Sequence, residues 1–333
     1  MEKPIIICLT PVKNEAWILE RFLKCTSMWA DYIIIADQNS DDTSREIAKK
    51  FDKVILVQNE NNDFNEPERQ KLLISEARKI SGKRLLIALD ADEFLTANFL
   101  DSQEWITILE SKPGTVIRFQ WLNITSDMTS YWSNNADMPF GFMDDGSEHA
   151  GLPIHSPRVP IPETSNSLLL RDIKVMHYQF TDWERMNSKH RWYQCWERVN
   201  NPKRSIIDIY RQYFHMYAIA YTDTSALQVS WLKGYTDARI DMYSINREHT
   251  YRWDKEVLNY INTYGAKYFR KLDIWNIDWE QKSKLFGFED QSHIADPRGK
   301  AIKTIHRWLK WSQPFNKKFG IMVIDKFLKI LGI

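Results

Sequence analysis

Carboxylates crowd three short stretches near the N-terminus. Glu15 closes Pro11-Val12-Lys13-Asn14-Glu15. Asp37, Asp41 and Asp42 lie in Asp37-Gln38-Asn39-Ser40-Asp41-Asp42, and Asp90, Asp92 and Glu93 in Asp90-Ala91-Asp92-Glu93. Acidic side chains brought together repel each other unless a cation or a hydrogen-bonding ligand sits between them. A hard divalent ion, Mg2+ or Mn2+, answers that need: it takes oxygen ligands, is held by one or two carboxylates, and completes its shell with water and phosphate oxygens. An Asp-x-Asp pair such as Asp90 and Asp92 suits the task if a strand delivers it to a ligand-facing edge.

The surrounding pattern supplies such strands. Ile5 to Leu9, Tyr32 to Ala36, Val54 to Val57 and Leu85 to Leu89 are short apolar runs, separated by segments with helical spacing. Ile18, Leu19, Phe22 and Leu23 mark the first helix. Thr43 and Glu46 have the spacing of a capping box for a second helix through Phe51. Pro67 suits the first turn of a third, whose buried face is Leu72, Leu73, Ala77 and Ile80. Strands alternating with helices predict a parallel α/β sheet, and ligands of such sheets bind outside the carboxyl ends of the strands. Each acidic stretch directly follows a strand, so one edge gathers them.

Composition narrows the class. The chain has 333 residues, 45 Lys+Arg against 44 Asp+Glu, 43% apolar residues and only 11 Gly, which fits a folded chain and excludes disordered or collagen-like architectures. A net charge of +1 gives no reason to expect nucleic acid as a partner. Cys8, Cys25 and Cys195 are odd in number and lack metal-binding spacing, which points to a reducing compartment. No apolar run reaches the roughly 18 residues of a membrane span. The N-terminus reads as a strand rather than a leader, and Asn123-Ile124-Thr125 as an accidental sequon. The expected location is the cytoplasm.

The three stretches, in this order and at the ends of separate strands, resemble the family 2 glycosyltransferases, which have the GT-A nucleotide-sugar fold. The similarity covers residues 4 to about 100. It implies a mostly parallel sheet flanked by helices and a nucleotide-sugar donor, most simply a UDP-sugar. In such enzymes the positions of Pro11, Glu15 and Asp37 hold base and ribose, and that of Arg69 lies near the base or diphosphate. Asp90 would face ribose or metal, and Asp92 would bind the metal that bridges the diphosphate. His177, in Ile173-Lys174-Val175-Met176-His177-Tyr178, is the candidate for a second metal ligand. The resemblance also implies inversion at the anomeric carbon, which requires one general base; Asp144 and Asp145 lead the candidates, ahead of Glu148 and Glu163. Gln38-Asn39 departs from the family's usual acidic, glycine-containing stretch and leaves the nucleotide sugar open. Each assignment has a plainer counterpart: a helix cap at Asp90 and Asp92, a turn at Asp144-Asp145-Gly146, a core histidine at His177, and solvated charges at Lys13 and Arg158.

The rest of the chain divides by pattern. Residues 113–182 read as short strands and loops on the acceptor side of the GT-A domain that begins with 1–112, and Leu152 to Pro162 is too proline-rich for helix. Residues 183–296 read as helical. Most of the 14 Trp are expected in the core, with Trp132, placed near the Asp144 loop, as a wall for an acceptor sugar. From 297 to 333 nine basic residues stand against Asp325, a net +8 that leaves −7 for the rest of the chain. Phe319 to Ile333 forms a basic amphipathic helix suited either to an anionic membrane face, which fits a lipid-linked or glycan acceptor in surface polysaccharide synthesis, or to packing on protein. Two rival functions remain: a sugar-phosphate nucleotidyltransferase, which would need a Gly-rich basic loop where Pro11 to Glu15 stands, and a non-catalytic carbohydrate-binding protein.

Overall fold

The computed structural model describes residues 3–60, 65–151, 156–219, 223–247, 250–288 and 294–332. The chain forms two compact units, one of residues 1–181 and 225–247, the other of 182–224 and 248–333.

The first unit opens with β1 (Ile5–Val12), α1 (Leu19–Thr26), β2 (Tyr32–Asp37), α2 (Ser44–Ala48), β3 (Val54–Gln58), α3 (Glu66–Arg78) and β4 (Arg84–Ala88). These strands run in the order β4-β1-β2-β3, all parallel, with Val12 beside Asp37 and Leu9 beside Ala88. Alternate side chains of each strand serve opposite layers. Ile6, Cys8, Ile33, Ile35, Leu85 and Ile87 join Leu19, Phe22 and Leu23 of α1. Ile7, Leu9, Ile34, Ala36, Leu86 and Ala88 meet Leu73, Ile74 and Ala77 of α3. With both faces covered, the strands read as unbroken apolar runs, and each fully buried Ile or Leu contributes roughly 2 kcal/mol.

The sheet continues on the other side of β4 with antiparallel pairing. β5 (Glu93–Leu95), α4 (Gln103–Leu109), β6 (Val116–Ile124), β7 (Ser130–Trp132), β8 (Asp137–Met143), β9 (Ser167–Leu169) and β10 (Val175–His177) follow, and β8 lies antiparallel between β4 and β6. β10 pairs with both β5 and β6, setting His177 opposite Glu93 and Asn123.

Three local expectations change. The second helix starts at Ser44, Thr43 makes no side-chain cap, and Asp42 instead accepts the Ser44 amide at 2.9 Å; the helix ends at Ala48, short of Phe51. Residues 225–247 return to the first unit: β11 (Ser225–Ala226) extends β7, and α7 (Ser230–Asp237) packs on the 3-10 turn Ala97–Leu100. Gly234 permits that approach, since a Cβ there would meet Leu100 Cδ1 at 2.7 Å. Finally, 297–332 belongs to the second unit with the rest of the helical region rather than standing apart as a tail.

The second unit contains α5 (Trp183–Asn200), α6 (Ile206–Tyr213), α8 (Arg252–Tyr264), α9 (Trp279–Leu285), α10 (Lys300–Ser312) and α11 (Phe319–Ile330). Asp182 caps α5 through the Arg185 amide. Stacked aromatics such as Tyr193 on Tyr213 and Tyr210 on Phe214 fill its interior, and a buried Arg191–Asp254 pair ties α5 to α8.

Candidate functional site at the carboxyl edge of the parallel strands

The loops after β1 and β2 are stitched together by side chains. The Asn14 amide donates to Ser40 Oγ at 2.9 Å, the Glu15 amide to Ser44 Oγ at 2.9 Å and the Ala16 amide to Asp42 Oδ2 at 3.0 Å. Asp41 exchanges hydrogen bonds with the Asn14 side chain. Asn14 and Asn39 take left-handed backbone conformations, φ 56° and 52°, which asparagine tolerates better than most residues. Asp41 and Asp42 therefore hold the two loops together, while Asp37 gives the loop only one of its oxygens. Pro11 lies beyond the last β1–β4 pair, where a strand loses one neighbour and tolerates a missing donor. Glu15 accepts the Trp17 indole N–H at 2.7 Å.

Asp37 is 1% exposed. Its Oδ2 accepts the Ser40 amide at 3.3 Å and lies 3.7 Å from Arg45 Nε, while Oδ1 is buried without a hydrogen-bond partner. An orphaned buried acceptor costs roughly 1–3 kcal/mol unless a donor reaches it.

The turn after β4 is built by its own acids. The Glu93 carboxylate accepts the Asp90 amide at 2.8 Å, and the Glu93 amide reaches back to the Asp90 carbonyl. Arg158 then binds both side chains, meeting Asp90 Oδ2 at 2.9 Å and both Glu93 oxygens, with its guanidinium 4.7 Å above the Phe140 ring. Arg158 is thus no solvated surface charge. Burial works against its charge, but the carboxylates of Asp90 and Glu93 outweigh that and hold it firmly protonated. Burial pushes the Glu93 carboxyl up, against the opposing pull of Arg158. Residues 156–158 reach this turn beside the first turn of α3, where the Ser156 amide donates to Glu66 at 2.7 Å; residues 152–155 lie outside the described residues. Arg69, half-buried, occupies the same first turns of α3.

Asp92 and His177 face each other, with Oδ2 3.6 Å from Nε2. The Asn123 side-chain oxygen sits 3.0 Å from His177 Nδ1, and Trp121 stacks on the ring at 4.7 Å. With the Nδ1 hydrogen given to Asn123, a neutral imidazole turns its Nε2 lone pair toward a carboxylate. The imidazole Nε2 and the Asp92 carboxylate are the two groups here that could ligate a divalent metal. No cluster of three or more acidic, His or Cys ligands exists among the described residues, so a metal here would draw further ligands from water and phosphate, as Mg2+ and Mn2+ do. Phe180 meets the His177 ring edge-on, and Trp132 packs on Phe180 at 5.4 Å, making an aromatic wall.

The expectation of a general base at Asp144 and Asp145 is corrected. Because β8 runs antiparallel to β4, its end meets the start of β4: the Asp144 amide donates to the Arg84 carbonyl, at the opposite edge of the sheet from Asp37 and Asp90. Asp144 is gripped by Arg78 Nη2 and Arg84 Nε, each at 2.9 Å. Burial alone would raise its carboxyl; the hydrogen bonds from Arg78, Arg84 and the Gly146 amide outweigh that and lower it. Asp145 accepts the Ser147 amide in the following turn, above Gly114, whose positive φ and lack of Cβ leave the room. Trp132 accordingly lies on the His177 side through Phe180 and not by the Asp144 loop. Asp144→Asn is expected to cost about 1.5–3 kcal/mol at neutral pH in urea unfolding while leaving catalysis at the wild-type level. A lowered folded-state pKa stabilises above the ordinary value of about 4 and is lost as pH falls through the folded value. The gap between wild type and variant should therefore close in acid, and an equal gap at every pH would contradict the ionic clamp.

The positioning roles of Glu93, Asn123 and Trp121 have no signal of their own in the sequence. Glu93 stood inside a quoted motif, and Asn123 inside a sequon set aside as accidental.

No family model and no curated protein matches the chain. Among solved structures, the chain is similar over 94% of its length to residues 1–349 of S. aureus TarS, with 11% identity, 92% of that chain covered and a TM-score of 0.34. It is similar over 43% of its length to a nucleoside-diphosphate-sugar pyrophosphorylase from Vibrio cholerae RC9, with 9% identity, 68% of that chain covered and a TM-score of 0.26. The functional reading rests on the chain's own residues.

Proposed function

We propose that this chain is a metal-dependent inverting glycosyltransferase that takes a nucleoside diphosphate sugar at the carboxyl edge of β1, β2 and β4. The observation that carries the reading is the buried Asp37 with one carboxylate oxygen unpartnered, on the same edge as the Asp90 turn that carries Asp92 to His177. A buried pure acceptor selects a donor such as the ring N–H of uracil or a ribose hydroxyl, which favours a UDP-sugar. Pro11 near the end of β1 and Glu15 in the loop after it lie on the β1 side of that position, and Arg69 lies on α3. Asp92 and His177 would hold Mg2+ or Mn2+, which supplies positive charge to the diphosphate as the anomeric C–O bond breaks.

The chain's own contribution is positioning. Arg158 fixes the Asp90–Glu93 turn, so the Asp92 carboxylate is presented without rearrangement. Asn123 and Trp121 hold the imidazole in one orientation. Trp132 and Phe180 offer apolar faces on which a sugar ring of a glycan or lipid-linked acceptor can stack. An acceptor hydroxyl attacks the anomeric carbon opposite the departing diphosphate and gives up its proton to a base other than Asp144 or Asp145.

A panel of nucleoside diphosphate sugars, assayed for nucleoside diphosphate release, tests the reading. One donor should be consumed, and Asp37→Asn should raise its KM by about 10–100-fold. Pyrophosphate formation from a sugar phosphate and a nucleoside triphosphate, with no donor consumed, would replace this reading by nucleotidyl transfer.

A further inference from the structure

The C-terminal helix is packed inside out. In α11 the side facing its own unit carries Asp325 beside Ile321: Asp325, 8% exposed, accepts from Arg211 Nε at 2.9 Å and Nη2 at 3.0 Å, and Lys329 pairs with Asp208. Arg211 of α6 also holds the Leu309 carbonyl, Ser312 Oγ and the Gln313 side-chain oxygen at the end of α10, at 2.8–3.0 Å. The apolar side faces outward, with Phe319 78%, Phe327 59% and Ile330 74% exposed and Met322 and Val323 between them. Trp311, 61% exposed, and Phe315 continue the patch at the α10 end. A surface helix ordinarily buries its apolar side, and so large a contiguous apolar surface marks an interaction site. One arginine locking two helices in this orientation means the exposure is built in.

We propose that α11 docks the protein on the surface of an anionic lipid bilayer, lying in the plane of the interface. Charge argues for the occupant: Lys310, Lys317, Lys318 and Lys326 are exposed around the patch, in a segment whose net charge is +8. Apolar area together with rimming lysines is the recognition chemistry of an acidic headgroup layer, and Trp311 suits the headgroup level. A twofold contact with a second copy would set this basic patch against itself. The helix has 12 residues, about 18 Å, and no helix among the described residues is long and apolar enough to cross a membrane, so the docking is peripheral. The inference goes beyond the enzymatic reading, and its test needs no turnover.

The test is co-sedimentation of the full chain with vesicles of equal parts phosphatidylcholine and phosphatidylglycerol, against vesicles of phosphatidylcholine alone. The wild type should pellet with the anionic vesicles and bind the neutral ones at least about tenfold less. The triple variant Phe319→Ser, Phe327→Ser, Ile330→Ser, which changes only exposed side chains and so keeps its helical circular dichroism, should lose at least about a hundredfold in partition. Lys317→Gln, Lys318→Gln and Lys326→Gln should each cost about fivefold on anionic vesicles and little on neutral ones. Wild type that stays in the supernatant with both vesicles overturns the proposal, as does a triple variant that binds like the wild type. A concentration-dependent dimer in ultracentrifugation that the triple variant abolishes would give the patch to a second copy instead.

Discussion

Asp92→Ala should lower transfer by about a thousandfold or more while the protein stays folded. The expectation follows from how residue 92 is used. Its backbone carbonyl accepts the Tyr178 amide at 2.8 Å and so helps join the Asp90 turn to the β10 end, and this contact survives any side-chain change. The carboxylate is 3.6 Å from His177 Nε2, the pair proposed to hold the metal. His177→Ala should cost less, since carboxylate and phosphate oxygens can still hold a hard ion. Turnover with synthetic donor and acceptor measures the first effect and thermal unfolding controls for the fold. An Asp92→Ala enzyme with wild-type kcat would move the charge stabilisation elsewhere.

The second large effect is on stability. Arg158→Met removes the guanidinium that hydrogen-bonds both Glu93 carboxylate oxygens, and Glu93 is 0% exposed. Breaking a buried pair from one side costs about 3–5 kcal/mol, because the remaining charge stays desolvated. Adding Glu93→Gln to Arg158→Met should recover much of that loss by removing the stranded charge. The pH dependence has a definite sign. Burial raises the Glu93 carboxyl, and without Arg158 it rises further, so the penalty is full above the raised folded-state value and shrinks as pH falls through it. Urea unfolding at several pH values measures this, and a single variant as stable as the wild type would contradict the clamp.

The parallel half of the sheet was legible because each of its strands is buried on both faces, which writes a continuous apolar run such as Ile33 to Ala36 into the sequence. The loop acids were legible as a group but not in their duties. Asp37 reads like Asp41 and Asp42 until the structure shows it buried with one oxygen on the Ser40 amide and the other unpartnered. Asp144 misled because its strand's direction is set by pairing: β8 inserts antiparallel beside β4, which carries the turn after it to the far edge, and no local pattern reports that reversal. Arg158 lies 65 residues from Glu93 in sequence, so nothing nearby announced its burial. The α11 periodicity showed a polar stripe on an apolar helix. It did not show which side faces inward, since that is decided by Arg211, 114 residues away from Asp325.

Calorimetric titration of the protein with UDP, with and without Mn2+, tests the central claim most directly. UDP should bind the wild type, Mn2+ should tighten it by about tenfold or more, and Asp92→Ala should keep the metal-free affinity while losing the Mn2+ gain. No UDP binding in either condition, or binding that Mn2+ leaves unchanged in the wild type, would contradict it.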